Sequence, residues 1–252
     1  MSWIGLRTLL DKETRRFLRV PGQTIGQPIV TTSLYFLVFG FALGGRLQEL
    51  DGVPYARFIV PGLCMLALIQ NAFLNTSSSL FVAKLQGTIV DLLLAPLGTR
   101  ELLLGFVTAA VARGLLVGGI VWLVAALFTG FAVPHPGWAL LFSLLVATLF
   151  ACLGLIAAIL SDKFEQLNVV PTFVLMPLTF LGGVFYSVEM LPEPWRSVAQ
   201  INPVLYMVEG LRYGLVGHGA VPWVGLAFVA ALCLAAVATS AWMLATGYKL
   251  RG

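Results

Sequence analysis

Charge is scarce in this chain. Only 10% of its 252 residues are Asp, Glu, Lys or Arg, whereas 59% are hydrophobic, and its mean hydropathy is +0.96. Water-soluble domains carry about 25% charged residues, so a soluble fold of this composition would have nowhere to hide its apolar surface. Cysteine is also sparse. Cys64, Cys152 and Cys233 each sit inside an apolar run at no metal-like spacing, which speaks against a disulfide framework or zinc site and leaves them as small packing residues. His135 and His218 fall in predicted outer loops without carboxylates or cysteines clustered nearby, and are read as solvated loop residues. Neither a metal nor a cofactor is expected.

Other absences narrow the function further. The chain has no G-x-x-x-x-G-K-[ST] phosphate loop, no G-x-S-x-G elbow and no H-E-x-x-H pair, so neither P-loop nucleotide binding nor these hydrolase chemistries belong to it. The N-terminus lacks the apolar core and small-residue cleavage site of a signal peptide. Ion-coupled carriers hold acids or histidines at bilayer depth, and the predicted spans carry no Asp or Glu well inside them.

What the sequence does hold is long apolar runs. Six of them, at 25–43, 58–80, 102–128, 138–160, 167–187 and 221–246, are each near the ~20 residues a bilayer requires. Fold class follows: an all-α integral membrane protein, a single domain over 1–252. Basic residues set the expected orientation. Arg7, Lys12, Arg15, Arg16, Arg19, Lys84, Arg100, Lys163, Lys249 and Arg251 fall on one side, against Arg46, Arg57, Arg196 and Arg212 on the other. Ten against four places both termini and the 81–101 loop in the cytoplasm.

Three stretches do not read as spans. Residues 1–22 place Trp3, Leu6, Leu10 and Phe17 at helical spacing with basic groups on another side, the pattern of an amphipathic helix in the membrane surface; a plain positive-inside flank is the simpler reading. Residues 81–98 repeat Phe81, Leu85, Ile89 and Leu92 at helical period, with Lys84, Thr88 and Asp91 as a polar stripe, and end at Pro96 and Gly98. Such a short amphipathic helix suits a partner's groove. Residues 188–220 carry two short apolar patches broken by Leu191-Pro192-Glu193-Pro194-Trp195 and Asn202-Pro203, and read as a re-entrant helical hairpin before the last span. Within it Glu209 and Arg212 have the spacing of a pair on one helix face.

Two polar features lie inside the spans. Asn71, Asn75 and Ser78 share a face of the second span, suited either to interhelical hydrogen bonding or to a wall of a substrate path. Arg113 is the one clear charge within a span. It either steadies the third span through backbone carbonyls or faces an anionic substrate.

Taken in order, Phe58-Ile59-Val60-Pro61-Gly62-Leu63, Asp91-Leu92-Leu93-Leu94-Ala95-Pro96, Val111-Ala112-Arg113-Gly114, Pro171-Thr172-Phe173, Leu181-Gly182-Gly183-Val184-Phe185-Tyr186-Ser187 with Leu191-Pro192, Asn202-Pro203 with Tyr206-Met207, and Gly210-Leu211-Arg212-Tyr213-Gly214 form a pattern. The chain resembles the permease subunits of type-2 ABC exporters, the bacterial drug, polysaccharide and lipo-oligosaccharide export permeases whose ATPase is a separate chain. The resemblance implies a dimer of permeases in the bacterial inner membrane, each binding one of two cytoplasmic ATPase copies, with no ATPase activity of its own. It makes 81–98 the coupling helix, with Lys84, Leu85, Gln86, Thr88, Ile89, Asp91 and Leu92 as the contact set. It makes 188–220 the re-entrant outer helices and 1–22 the interfacial helix. Membrane lipid is the surrounding partner and no nucleic acid is expected. An ion-driven secondary carrier and a non-transporting assembly factor are the rival classes.

Overall fold

The computed structural model describes residues 3–43, 49–50, 52–95, 97–130 and 132–249. Arg46, Pro96 and Arg251, used above for orientation and for a helix end, lie outside them. Among the described residues four helices are long and apolar enough to cross a membrane: α3 (Tyr55–Leu85), α5 (Thr99–Thr129), α6 (Pro136–Leu160) and α11 (Trp223–Thr246). They cover the runs at 58–80, 102–128, 138–160 and 221–246. The other two predicted spans are helical but made of pieces. Residues 22–43 consist of α2 (Gln27–Tyr35) between wider π-type turns at Gly22–Gly26 and Phe36–Leu43. Residues 164–180 consist of α7 (Phe164–Val169), a π-type turn at Val170–Leu175 and α8 (Met176–Phe180). Pro28 explains the turn at Gly22–Gly26, and Pro171 and Pro177 the one at Val170–Leu175, since each removes an N–H from the ladder and crowds the preceding turn.

α3 is the central helix. It packs along α5 on one side and α6 on the other, and meets α10 (Pro203–Val216) near one end. Phe58, Ile59, Met65, Ile69, Phe73, Leu80 and Phe81 on it are fully buried. Small residues allow the close approach that drives helix association where lipid is as apolar as the side chains. Gly114 on α5 sits against Ala72 and the Leu68 carbonyl, and Gly154 on α6 sits against Thr76 and the Phe73 carbonyl. Hydroxyls cross the α3–α6 and α6–α11 seams. Thr76 Oγ1 donates to the Ala151 carbonyl at 2.8 Å, and Ser240 Oγ on α11 donates to that of Cys152 at 3.2 Å.

Two local devices shape the ends. A two-residue antiparallel bridge pairs β1 (Glu49–Leu50) with β2 (Val53–Pro54) just before α3. α10 is capped at both ends: the Asn202 side chain accepts from the Val204 amide at 3.0 Å, Pro203 opens the helix, and Gly217 closes it at φ +74°. Fourteen residues rise about 21 Å, short of the ~30 Å hydrocarbon thickness. α9 (Trp195–Ile201) is shorter still.

Two elements differ from the sequence reading. α1 (Trp3–Leu18) buries Leu6, Leu9, Glu13 and Phe17, while Trp3 is 71% exposed. The packed stripe is therefore rotated from the one predicted, because Leu9 seats against Gly105 of α5. The 81–98 helix is not one helix. Its first part, to Leu85, continues α3 without a break, the chain then turns at 86–88 with Gly87 at φ +72°, and α4 (Ile89–Leu94) follows. A glycine at that φ bears no Cβ penalty, which is why the turn falls there.

The α3–α6 seam generates a test. A Cβ at position 154 would collide with backbone of α3, so Gly154→Val is expected to lower stability by about 1–3 kcal/mol, read as a fall in the thermal unfolding midpoint in detergent. Gly119→Val faces open space and is expected to change it little.

Candidate functional site

Three polar constellations stand out, and the first is at the end of the bundle that carries α1. Lys84, on the last turn of α3, reaches across to the C-terminus of α6. Its Nζ donates to the Ile159 and Ser161 carbonyls at 3.3 and 2.9 Å and pairs with Asp162 at 3.0 Å. Lys249, just beyond α11, pairs with the other oxygen of Asp162 at 3.5 Å and donates to the Leu160 carbonyl at 3.3 Å. Cations there satisfy orphan carbonyls and complement the helix dipole. The hydrogen bond and charge of Lys84, with the charge of Lys249, hold the Asp162 carboxyl below its ordinary value. The clamp is thus complete above the ordinary carboxylate range and is lost as pH falls through the lowered value. It ties the ends of α3, α6 and α11 to one point.

Beside this clamp lies the turn into α4. Ile89 is buried and Leu92 half-buried against the core, while Val90, Asp91 and Leu94 are exposed, Leu94 at 80%. Leu85 is also largely exposed, so it does not continue the buried stripe of Phe81 and Ile89. Thr88 back-bonds to the Ala83 carbonyl at 3.3 Å, and Gln86 is exposed in the turn. Of the predicted contact set, Lys84 is committed to the clamp, Ile89 and Leu92 hold α4 to the body, and Asp91 faces outward.

The second constellation is buried between α1, α3 and α5. Glu13, with no exposed side-chain surface, accepts from Ser79 at 2.7 and 2.8 Å and pairs with Arg16 at 3.1 Å and Lys12 at 3.8 Å. Arg16 continues onto α3, donating to the Asn75 carbonyl at 2.6 Å, to Asn75 Oδ1 at 3.1 Å and to Ser78 Oγ at 3.2 Å. Asn75 Oδ1 also faces Arg113 Nη1 at 3.5 Å. Asn75 and Ser78 are therefore occupied in anchoring α1. Asn71 is separate: it back-bonds to the Ala67 carbonyl at 3.0 Å and lines a cavity of about 300 Å³ together with Gln23, Gln27, Gln70 and Arg113. Sequence reasoning missed Glu13 and Arg16, although an acid spaced with Leu6, Leu9 and Phe17 on the apolar stripe of α1 was the available signal.

The third lies at the opposite end. Arg212 turns inward, 7% exposed, with Nη2 donating to the Gly183 carbonyl at 2.7 Å and its guanidinium 3.9 Å over the Phe58 ring. Gly183 is at φ +68° in the turn after α8, and Tyr55 Oη donates to the Phe185 carbonyl of the same turn at 2.9 Å. Gly62 lets that turn close onto α3, since a Cβ there would overlap Val184. Arg212 thus staples α10 to the 181–187 turn and to α3. Glu209 is exposed and borders, with Arg212, Tyr186 and His218, a cavity of about 550 Å³. The other histidine, His135, stacks on Tyr213 with ring centroids 4.6 Å apart. Among the described residues no group of three His, Cys, Asp or Glu is placed to hold a metal ion.

Long apolar helices and a nearly chemistry-free interior define a polytopic membrane protein whose polar groups join helices. The model of the ABC-2 type transporter family matches residues 5–216, and the chain belongs to that family: it is a type-2 ABC permease, a membrane subunit that works with an ATPase. It is similar to the inner membrane transport permease YadH of Escherichia coli (strain K12), 42% identical over 224 residues that cover 89% of this chain and 88% of the relative. It is also similar to nodulation protein J of Sinorhizobium fredii (strain NBRC 101917 / NGR234), 30% identical over 216 residues, 84% and 79% of the two chains. Nodulation protein J of Rhizobium meliloti (strain 1021) is 28% identical over 210 residues, 81% and 78%.

The Glu13 network makes a measurable claim. Removing one partner of a buried ion pair strands the other, at a cost of about 3 kcal/mol. Glu13→Ala is expected to lower the unfolding midpoint and speed amide exchange along α1 before the rest of the bundle. Glu13→Gln, which can still accept from Ser79, is expected to be milder. Unchanged exchange in α1 for both would mean that the pair does not hold the helix.

Proposed function

We propose that this chain is the transmembrane half of an ATP-driven exporter in a bacterial inner membrane, with six crossings and both termini cytoplasmic. Two copies build the pathway, and each binds one cytoplasmic ATPase subunit through α4 and the 86–88 turn. The observation that carries this reading is the pairing of an exposed α4 with the Lys84–Asp162–Lys249 clamp. A partner seated on Val90, Asp91 and Leu94 grips an element joined by three residues to α3, and the clamp passes any displacement of α3 to α6 and α11. Motion imposed there shifts packed helices as a body, and the energy comes from the ATPase dimer binding one arrangement more tightly than the other.

In this reading α9, α10 and the 181–187 turn form the outer re-entrant unit, stapled by Arg212, and help close the far side of the pathway. α1 lies at the cytoplasmic surface, its exposed Trp3 and Ile4 toward lipid headgroups. The cargo is amphiphilic, drug-like, lipid-linked or a polysaccharide. The rival ion-driven carrier needs an acid free to exchange its ion, and Glu13 is already held by Arg16 and Ser79.

The test uses the permease reconstituted with the ATPase encoded beside it. Asp91→Arg and Leu94→Glu are expected to cut ATPase capture and ATP-dependent transport more than about tenfold, with the unfolding midpoint nearly unchanged, as for exposed sites generally. Capture that survives both changes removes α4 from the interface. Transport that needs no ATPase favours the carrier.

A further inference from the structure

A polar cavity lies beside Arg113. On the first helical run Gln23, Gln27 and Thr31 recur every four residues and are all exposed, and Gln70 on α3 is exposed opposite them. Gln70 lies well inside α3, and an amide in hydrocarbon with no hydrogen-bond partner costs several kcal/mol, so this face turns to a hydrated or protein-lined space. Arg113 enters the same cavity from the middle of α5.

The charges at this depth do not balance. Glu13 is the one carboxylate in the network, and it is engaged by Arg16, Lys12 and Ser79. Arg113 has no ion pair among the described residues. Its hydrogen bond to Asn75 Oδ1 is long at 3.5 Å and shares that oxygen with Arg16 at 3.1 Å, and its buried Nε has no hydrogen-bond partner. A guanidinium inside a span, flanked by the amides of Gln70 and Asn71, is a fork for a phosphate, sulfate or carboxylate. A volume of about 300 Å³ is at the small end for ligand pockets, enough for a headgroup and not for a whole amphiphile. Leu74, itself exposed, lines the same cavity, and apolar surface there is suited to a chain.

We propose that this cavity binds the anionic headgroup of an amphiphile, with Arg113 as the charge that holds it and the exposed Leu74 against its tail. The proposal rests on the permease reading above, because it takes the cavity as part of the pathway wall, and it narrows the cargo to anionic amphiphiles.

Binding can be read without the ATPase. The purified full-length permease in a neutral maltoside detergent is titrated with dodecyl phosphate, dodecanol and inorganic phosphate, with bound adducts counted by native mass spectrometry. Saturable binding of dodecyl phosphate is expected, at least about tenfold tighter than either of the others. Arg113→Gln is expected to weaken it about tenfold or more, and Arg113→Lys less. Gln27→Leu, on the exposed cavity rim and harmless to the core, is expected to weaken it about threefold. Inorganic phosphate binding as tightly as dodecyl phosphate would make this a free-anion site and overturn the proposal. So would dodecanol binding equally, or binding that ignores both Arg113→Gln and Gln27→Leu. Loss of ATP-driven transport with dodecyl phosphate binding intact would count against the exporter reading alone.

Discussion

A carboxylate on the apolar face of a surface helix is a liability unless something meets it. Glu13 is such a group: it is fully buried, and α1 can dock only by carrying Arg16 along and finding Ser79, Ser78 and Asn75 on α3. That requirement fixes the register of α1 against α3 and α5. It also engages Asn75 and Ser78 with Arg16 and leaves Arg113, beside the adjoining cavity, without an ion pair among the described residues. The polar arrangement between α1, α3 and α5 follows from where Glu13 finds its partners.

Each end of the bundle uses one basic residue to join elements that apolar packing alone would leave free to slide. At the α1 end Lys84 closes the carbonyls of α6 and, through Asp162, reaches Lys249 after α11. At the other end Arg212 joins α10 to the 181–187 turn and to Phe58 of α3. Lipid offers no hydrophobic drive between helices, so such directional contacts carry more of the specificity than they would in water.

The apolar helices were the legible part of the sequence. α5, α6 and α11 begin and end within a few residues of their hydropathic runs, because composition alone demands a bilayer there. α3 ran on past its run to Leu85, since Lys84 is drawn to the end of α6 and the break waits for Gly87. The two runs containing Pro28, Pro171 and Pro177 were recognisable as apolar but not as pieced helices. Among site residues, Arg113 and Arg212 were conspicuous as charges in apolar stretches. The partners of Arg212 were not, because Gly183 and Phe58 present only a carbonyl and a ring. Asp162 lies 78 residues from Lys84 and 87 from Lys249, a separation across which no periodicity can point. Glu13 was legible in principle and was masked by its basic neighbours.

The central claim is that α4 is where an ATPase grips this permease. A single cysteine placed at Leu94 reports on it directly, since Cys64, Cys152 and Cys233 are all buried and shielded from a membrane-impermeant cross-linker. In proteoliposomes holding the permease and its ATPase, Leu94→Cys is expected to form a cross-link to the ATPase whose yield changes with nucleotide. A cysteine at His218, at the opposite end, is expected to form none. An ATPase cross-link from position 218 with none from position 94 would contradict both the docking site and the orientation of the chain.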